Sequence, residues 1–142
     1  MRDNLIASAL ISATTRLTRR ADFQRASRGL RVWANPFALQ FVQRSDPAEG
    51  DIARVGFTVT KKIGNSPIRN RIRRRLREAI RLAGNLAAEP DHDYVLMAKR
   101  EALGRDFSKL IEDVERAFKQ ARDKKSAKTS ARPRSADKDR QR

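Results

Sequence analysis

The run from Lys61 to Arg81 constrains the fold more than any other stretch, because it must be helical and can bury only part of itself. At 100° per residue, Ile68, Ile72, Leu76, Ala79, Ile80 and Ala83 fall on one stripe. Arg69, Arg71, Arg73, Arg74, Arg75, Arg77 and Arg81 take most of the remaining circumference. Ser66 is placed to cap this helix, Pro67 suits its first turn and Gly84 its end. Burying the stripe contributes about 1.5–3 kcal/mol for each large aliphatic side chain. The guanidinium heads cannot follow it inward, and Glu78 is the one acid among them. The expectation is a helix docked on a core, with a dense cationic outer surface held at fixed geometry.

Charge is focused rather than spread. The 142 residues hold 33 Lys+Arg and 17 Asp+Glu, a net charge of +16. Residues 61–81 carry nine Lys/Arg and one Glu, and residues 122–142 carry nine Lys/Arg and three Asp, so these stretches supply +8 and +6 and the remainder only +2. One structured element and one tail of this kind suit a polyphosphate partner. No membrane partner is expected, because the arginine helix lacks the wide Trp/Phe/Leu face of an interfacial helix and no apolar run approaches the roughly 18–20 residues of a span. With no cysteine, disulfides, Cys-based zinc sites and thiol catalysis are excluded, which fits a reducing cytoplasm. The weak apolar patch before Thr15 carries Asp3 and lacks a basic start, so it is read as a flexible extension over 1–15 and not as a signal peptide. Residues 122–142 have no apolar periodicity and are expected to be a disordered basic tail. One domain is left, over 16–121.

Along the chain, a short helix is expected over 17–28, stopped by Gly29, then a short strand over 31–34 and a break at Asn35-Pro36. Phe37, Leu39 and Phe41 alternate with Ala38, Gln40 and Val42, predicting a strand over 37–43 with one face in a core. The turn-rich stretch 45–50 predicts a hairpin to a strand over 52–60, where Val55, Phe57 and Val59 oppose Arg54, Gly56, Thr58 and Thr60. The second of these faces is small and polar, so it could let another backbone approach closely or accept hydrogen bonds at its Thr hydroxyls. After the arginine helix come a loop over 86–91, a strand over 94–99, and a last helix capped by Asp106, with Phe107, Leu110, Ile111, Val114, Ala117 and Phe118 at helical spacing.

The chemistry that stands out is recognition, not bond breaking. Arginine forks pair bidentately with phosphate oxygens and stack on bases. The bland alternative, a solvated face, usually mixes Lys with Glu. Asp91-His92-Asp93 is a possible divalent-ion site, but alternate residues of an extended stretch face opposite ways, and the bland reading is a loop entering a strand. His92 is the only histidine, so no His pair exists, and no second carboxylate cluster offers two-metal nuclease chemistry.

The order Lys61-Lys62-Ile63-Gly64-Asn65, followed by Arg69-Asn70-Arg71-Ile72-Arg73-Arg74, resembles the signature of the bacterial ribonuclease P protein subunit family, and the similarity runs from about Leu17 to about Lys119. The resemblance implies an α+β fold, an α/β sandwich in a single domain. Its four-stranded, mostly antiparallel sheet would carry a left-handed βαβ crossover of the ribosomal protein S5 domain 2 type, although the general rule alone makes such crossovers right-handed. It implies that Lys61, Lys62, Arg69, Asn70, Arg71, Arg73, Arg74 and Arg77 face a catalytic RNA subunit, which holds the Mg²⁺ and hydrolyses precursor tRNA to release its 5′ leader. The protein itself would carry no catalytic group and no metal.

Phe23, in Asp22-Phe23-Gln24, matches a family aromatic that lines a cleft for the single-stranded leader; its bland reading is core packing. Here the chain departs from the pattern. Ala26-Ser27 stand where a second aromatic is usual, and Gln40 stands where an aromatic often lies. Leader binding is therefore expected to lean on Arg25, Gln40, Arg54 and Thr58 beside Phe23. Trp33 is either a substitute stacking residue or a strand-end packing residue. The rival function is a ribosome-associated or structural RNA-binding protein with no processing role. A protein-only metal nuclease built on Asp91, His92 and Asp93 is the third.

Overall fold

The computed structural model describes residues 14–45, 51–83 and 86–131, with side chains as far as Lys125. Its described strands are β1 (Thr14–Arg16), β2 (Leu30–Trp33), β3 (Phe37–Gln43), β4 (Ala53–Thr58) and β5 (His92–Ala98). They form one sheet in the order β1-β4-β5-β3-β2. The described helices are α1 (Arg20–Ser27), α2 (Ser66–Leu82), the single turn α3 (Glu101–Gly104) and α4 (Phe107–Ala131). A 3₁₀ turn, Lys61–Ile63, joins β4 to α2.

The expected α+β class holds, with two corrections to the sheet. It has five strands rather than four, and two of its four pairings are parallel: β1 with β4 and β4 with β5. Strand β1 was invisible in the sequence because Thr14-Thr15-Arg16 offers no apolar alternation; it is held by backbone pairing and by Leu17, whose N–H reaches the Val55 carbonyl at 3.0 Å. It begins inside the stretch expected to be a flexible extension. The hairpin expected between β3 and β4 does not form, because β5 lies between them, antiparallel to β3 and parallel to β4. The β4–α2–β5 crossover puts β5 beside β4, while β3 makes its hairpin with β2 across Asn35-Pro36, closed by Ala34 N–H on the Phe37 carbonyl at 2.9 Å.

Strands β3 and β5 are buried along most of their length because both sheet faces are covered. On one face α2 and α4 close the main core, where Phe37, Leu39, Phe41, Val55, Tyr94 and Leu96 meet Ile72, Leu76, Leu110, Val114 and Phe118. Tyr94 sits between Phe41 and Phe118, with ring centres 6.1 and 4.6 Å away. On the other face α1 packs on β3 and β5, where Leu17, Ala26 and Val95 form a small second core joined by Phe23 and Val42.

Helix α2 is capped one residue earlier than expected. Asn65 Oδ1 accepts from the Ile68 N–H at 3.1 Å, and Ser66 is already the first helical residue. Asn and Ser are comparable caps, so composition could not separate them. The apolar stripe is buried as its spacing predicted, through Ile72, Leu76, Ala79 and Ile80. Gly84, the expected stop, lies outside the described residues; the capping residue at that end is Ala83. Helix α4 runs to Ala131, past the expected boundary at residue 121, and residues 132–142 of the expected tail lie outside the described residues.

Candidate nucleic-acid interface

The wheel of α2 sorts its arginines by angle. Taking Arg69 as zero, Arg73, Arg77, Asn70, Arg74 and Arg71 follow at roughly 40, 80, 100, 140 and 200°, while the buried residues run from about 280° (Ala79) through Ile72 and Leu76 to about 20° (Ile80). Asn70, Arg71, Arg74 and Arg77 are exposed, and Arg69 and Arg73, nearest the stripe, are half-buried. Several are held in place. Arg69 donates to the Gly64 carbonyl and to Ser66 Oγ, both at 3.1 Å. Arg73 donates to Asn70 Oδ1 at 2.9 Å, and Arg77 stands over the Phe57 ring at 5.8 Å. Lys61 and Lys62 lie exposed on the 3₁₀ turn just ahead of the helix N-terminus, whose dipole adds positive potential. All eight residues expected to face RNA thus gather on one helix and its leading turn.

Two arginines of the run serve otherwise. Arg75 falls at roughly 240°, against the stripe, and turns inward. Its Nε donates to the Ala102 carbonyl at 3.0 Å, its Nη2 to the Arg105 carbonyl, and it stands over the Phe107 ring at 5.5 Å. It ties α2 to α3 and to the start of α4. Arg81 is paired with Glu78, whose carboxyl is held below its usual range by the hydrogen bond from that guanidinium.

The leader-cleft residues divide into two groups. Cross-strand register puts Arg31–Gln40–Val95–Gly56 in one row and Trp33–Ala38–Met97–Thr58 in the next, all on the face opposite the main core. Gln40 is 4% exposed, so it floors this face rather than projecting from it. Thr58 is half-buried at the end of β4, three residues before Lys61. Phe23 is also half-buried and lies against Gly56: a Cβ there would stand 2.5 Å from Phe23 Cζ and 2.6 Å from Cε1. The close approach at Gly56 is therefore by this ring and not by another backbone, as the small face had suggested. Phe23 both packs on the second core and lines the open face, so its two readings coexist.

Arg25 and Arg54 are not free to lead in binding an anion. Arg54 pairs with Asp93 through two hydrogen bonds of 2.8 Å and lies 3.4 Å from Asp22. Arg25 reaches Asp22 at 2.6 Å and Asp93 at 3.3 Å. Arg44, which the sequence reading passed over, donates to Asp93 at 2.6 Å and to the carbonyls of His92, Ile52 and Pro90. Asp93 is 0% exposed. Burial pushes its carboxyl up, but hydrogen bonds from Arg54 and Arg44 outweigh that and hold it below the usual carboxylate range. The signal was present in the sequence: an acid inside the apolar strand His92–Ala98 must find cations when buried.

The same network decides the Asp91-His92-Asp93 question. Asp93 turns to the arginines, while Asp91 binds His92 Nδ1 and Gln43 Nε2, each at 2.7 Å, and His92 stacks on Tyr94. Among the described residues no group of three His, Asp or Glu side chains could hold a metal. No described helix is long and apolar enough to cross a membrane.

Known proteins supply an independent comparison. The family model described as Ribonuclease P matches residues 11–122. The ribonuclease P protein component of Brucella suis is 43% identical over 106 residues, covering 71% of this chain and 75% of its own. That of Paramagnetospirillum magneticum is 44% identical over 109 residues, covering 73% and 80%. The structure of the Staphylococcus aureus RNase P protein superposes with a TM-score of 0.60 at 28% identity, covering 75% of this chain and 94% of that one. With a matched signature on α2, a shared α+β fold and relatives this similar, the chain belongs to the ribonuclease P protein component family.

Proposed function

We propose that this chain is the protein subunit of a ribonuclease P holoenzyme, binding a catalytic RNA and the single-stranded 5′ leader of precursor tRNA during endonucleolytic removal of that leader. Lys61, Lys62, Arg69, Asn70, Arg71, Arg73, Arg74 and Arg77 would contact the RNA subunit. Phe23, Gln40 and Thr58 would line the leader surface, with Arg25 and Arg54 shaping its wall through the acids that hold them. The observation that carries this reading is the outer face of α2, where a contiguous set of cations is mounted on a buried apolar stripe. Fixed cations displace counterions from two RNAs that must approach each other, so less Mg²⁺ is needed to bring them together.

Among the described residues the side chains do not fit a Mg²⁺ site, because Asp93 is held by Arg25, Arg44 and Arg54 while Asp91 is held by His92 and Gln43. In this reading Mg²⁺ sits in the partner RNA, no hydrolytic step is assigned to the protein, and the compartment is the cytoplasm. Adding the purified chain to the ribozyme RNA in low Mg²⁺ should restore precursor-tRNA cleavage; absence of rescue sinks the proposal. Equal affinity of the complex for precursor and mature tRNA would instead favour an RNA-binding role without leader recognition.

A further inference from the structure

Trp33 is 64% exposed, yet it is not loose. It ends edge strand β2, paired with Ala38, on the face away from the main core. The Arg31 guanidinium stands 5.6 Å from its ring centre and the Lys99 ammonium 5.8 Å. Each cation is anchored in turn: Arg31 Nη2 donates to the Ser27 carbonyl at 3.3 Å and Lys99 Nζ to the Ala34 carbonyl at 2.9 Å. A third cation, Lys124 of α4, donates to the Arg31 carbonyl. The indole is thus held between two anchored cations with most of its surface turned to water, where a further flat ring could stack on it.

From these contacts we infer that Trp33, framed by Arg31 and Lys99, is a base-stacking platform for single-stranded RNA that extends the leader surface across the sheet to β2. The inference rests on the leader reading above and adds a binding position to it. The row Thr58–Met97–Ala38–Trp33 runs unbroken over β4, β5, β3 and β2. Three inter-strand spacings make it about 14 Å long. One end meets the Lys61-Lys62 turn; the other ends on the indole. A flexible strand entering beside Thr58 would pass half-buried Met97 and buried Ala38, neither of which projects to bar it, before reaching an aromatic that accepts any base, with cations beside it for the backbone phosphates.

Trp33 is the only tryptophan in the chain, so its emission reports this position alone. In the reconstituted holoenzyme, precursor tRNA with a long single-stranded leader should quench that emission, whereas precursor with a leader too short to cross the sheet should not. For wild type the ratio of affinities for long and short leaders should exceed one. In Trp33→Ala it should fall by roughly five- to a hundredfold, and Trp33→Phe should keep most of it. Equal emission with both leaders, or an unchanged ratio in Trp33→Ala, overturns the platform. If wild type shows no leader dependence at all, the underlying leader reading fails instead, and Gln40→Ala and Thr58→Ala will be equally without effect on the ratio.

Discussion

Asp93 is a charge in an apolar strand, and its surroundings dictate how the protein responds to acid. Its carboxyl is held low by Arg54 and Arg44 against the push of burial. A carboxyl with a lowered folded-state value contributes stability that is complete above the unfolded value of about 3.9 and is lost as pH falls below it. Acid unfolding followed by circular dichroism should therefore steepen below about pH 4. Asp93→Asn should flatten that limb while lowering stability at neutral pH. Removing the acid altogether, in Asp93→Ala, strips Arg44 and Arg54 of the buried carboxylate they share and should cost about 3 kcal/mol or more in denaturant melts. Gly56 gives a second test at this scale. In Gly56→Ala the new methyl meets the Phe23 ring, so the ring must shift. The expected losses are about 1–3 kcal/mol of stability and part of the preference for leader-bearing substrates.

Helix α2 gives two tasks to one residue type, and the angle around its axis separates Arg71 and Arg74 from Arg75. Arg71 and Arg74 lie on the exposed arc, so Arg71→Ala and Arg74→Ala should leave stability nearly unchanged. Each should lower the salt slope of RNA binding by about one unit if that side chain meets a phosphate. Arg75 lies against the buried stripe and donates to two backbone carbonyls. Arg75→Ala should instead cost about 1.5–3 kcal/mol of stability, with little change in the slope. Titrating the three variants against the RNA subunit at several salt concentrations, alongside thermal melts, separates the roles. A uniform response across them would mean that the angular sorting has no functional meaning.

At the scale of the whole molecule, one sheet keeps the two surfaces proposed to meet RNA apart and fixes their geometry. One face is sealed by α2 and α4, which turns the outer arc of α2 to solvent. On the opposite face α1 packs on β3 and β5, and the row from Thr58 to Trp33 is half-buried at Thr58 and Met97, buried at Ala38 and exposed at Trp33. With a net charge of +16, the proposed association with RNA should be strongly salt-dependent. Residues 132–142 add five Lys/Arg against two Asp, a net +3. Deleting them should weaken binding to all RNAs alike, with a smaller salt slope and no change in the preference for a leader; a selective loss of leader preference would contradict a nonspecific role.

Local spacing alone determined the arginine helix, its apolar stripe, strand β3 and the last helix, because each repeats with its own period and is bounded by caps or turn residues. Neither the fifth strand nor the place of β5 between β3 and β4 could be read in that way. Three polar residues carry no period, and strand neighbours are chosen by the packing of a sheet covered on both faces. The same holds at the site. The sequence showed that many arginines had to stay at the surface; only tertiary contacts withdrew Arg75 into the α3 carbonyls and spent Arg25 and Arg54 on Asp22 and Asp93. The reason is physical: a buried carboxylate takes the cations that the fold brings within reach, and sequence distance says nothing about which those are.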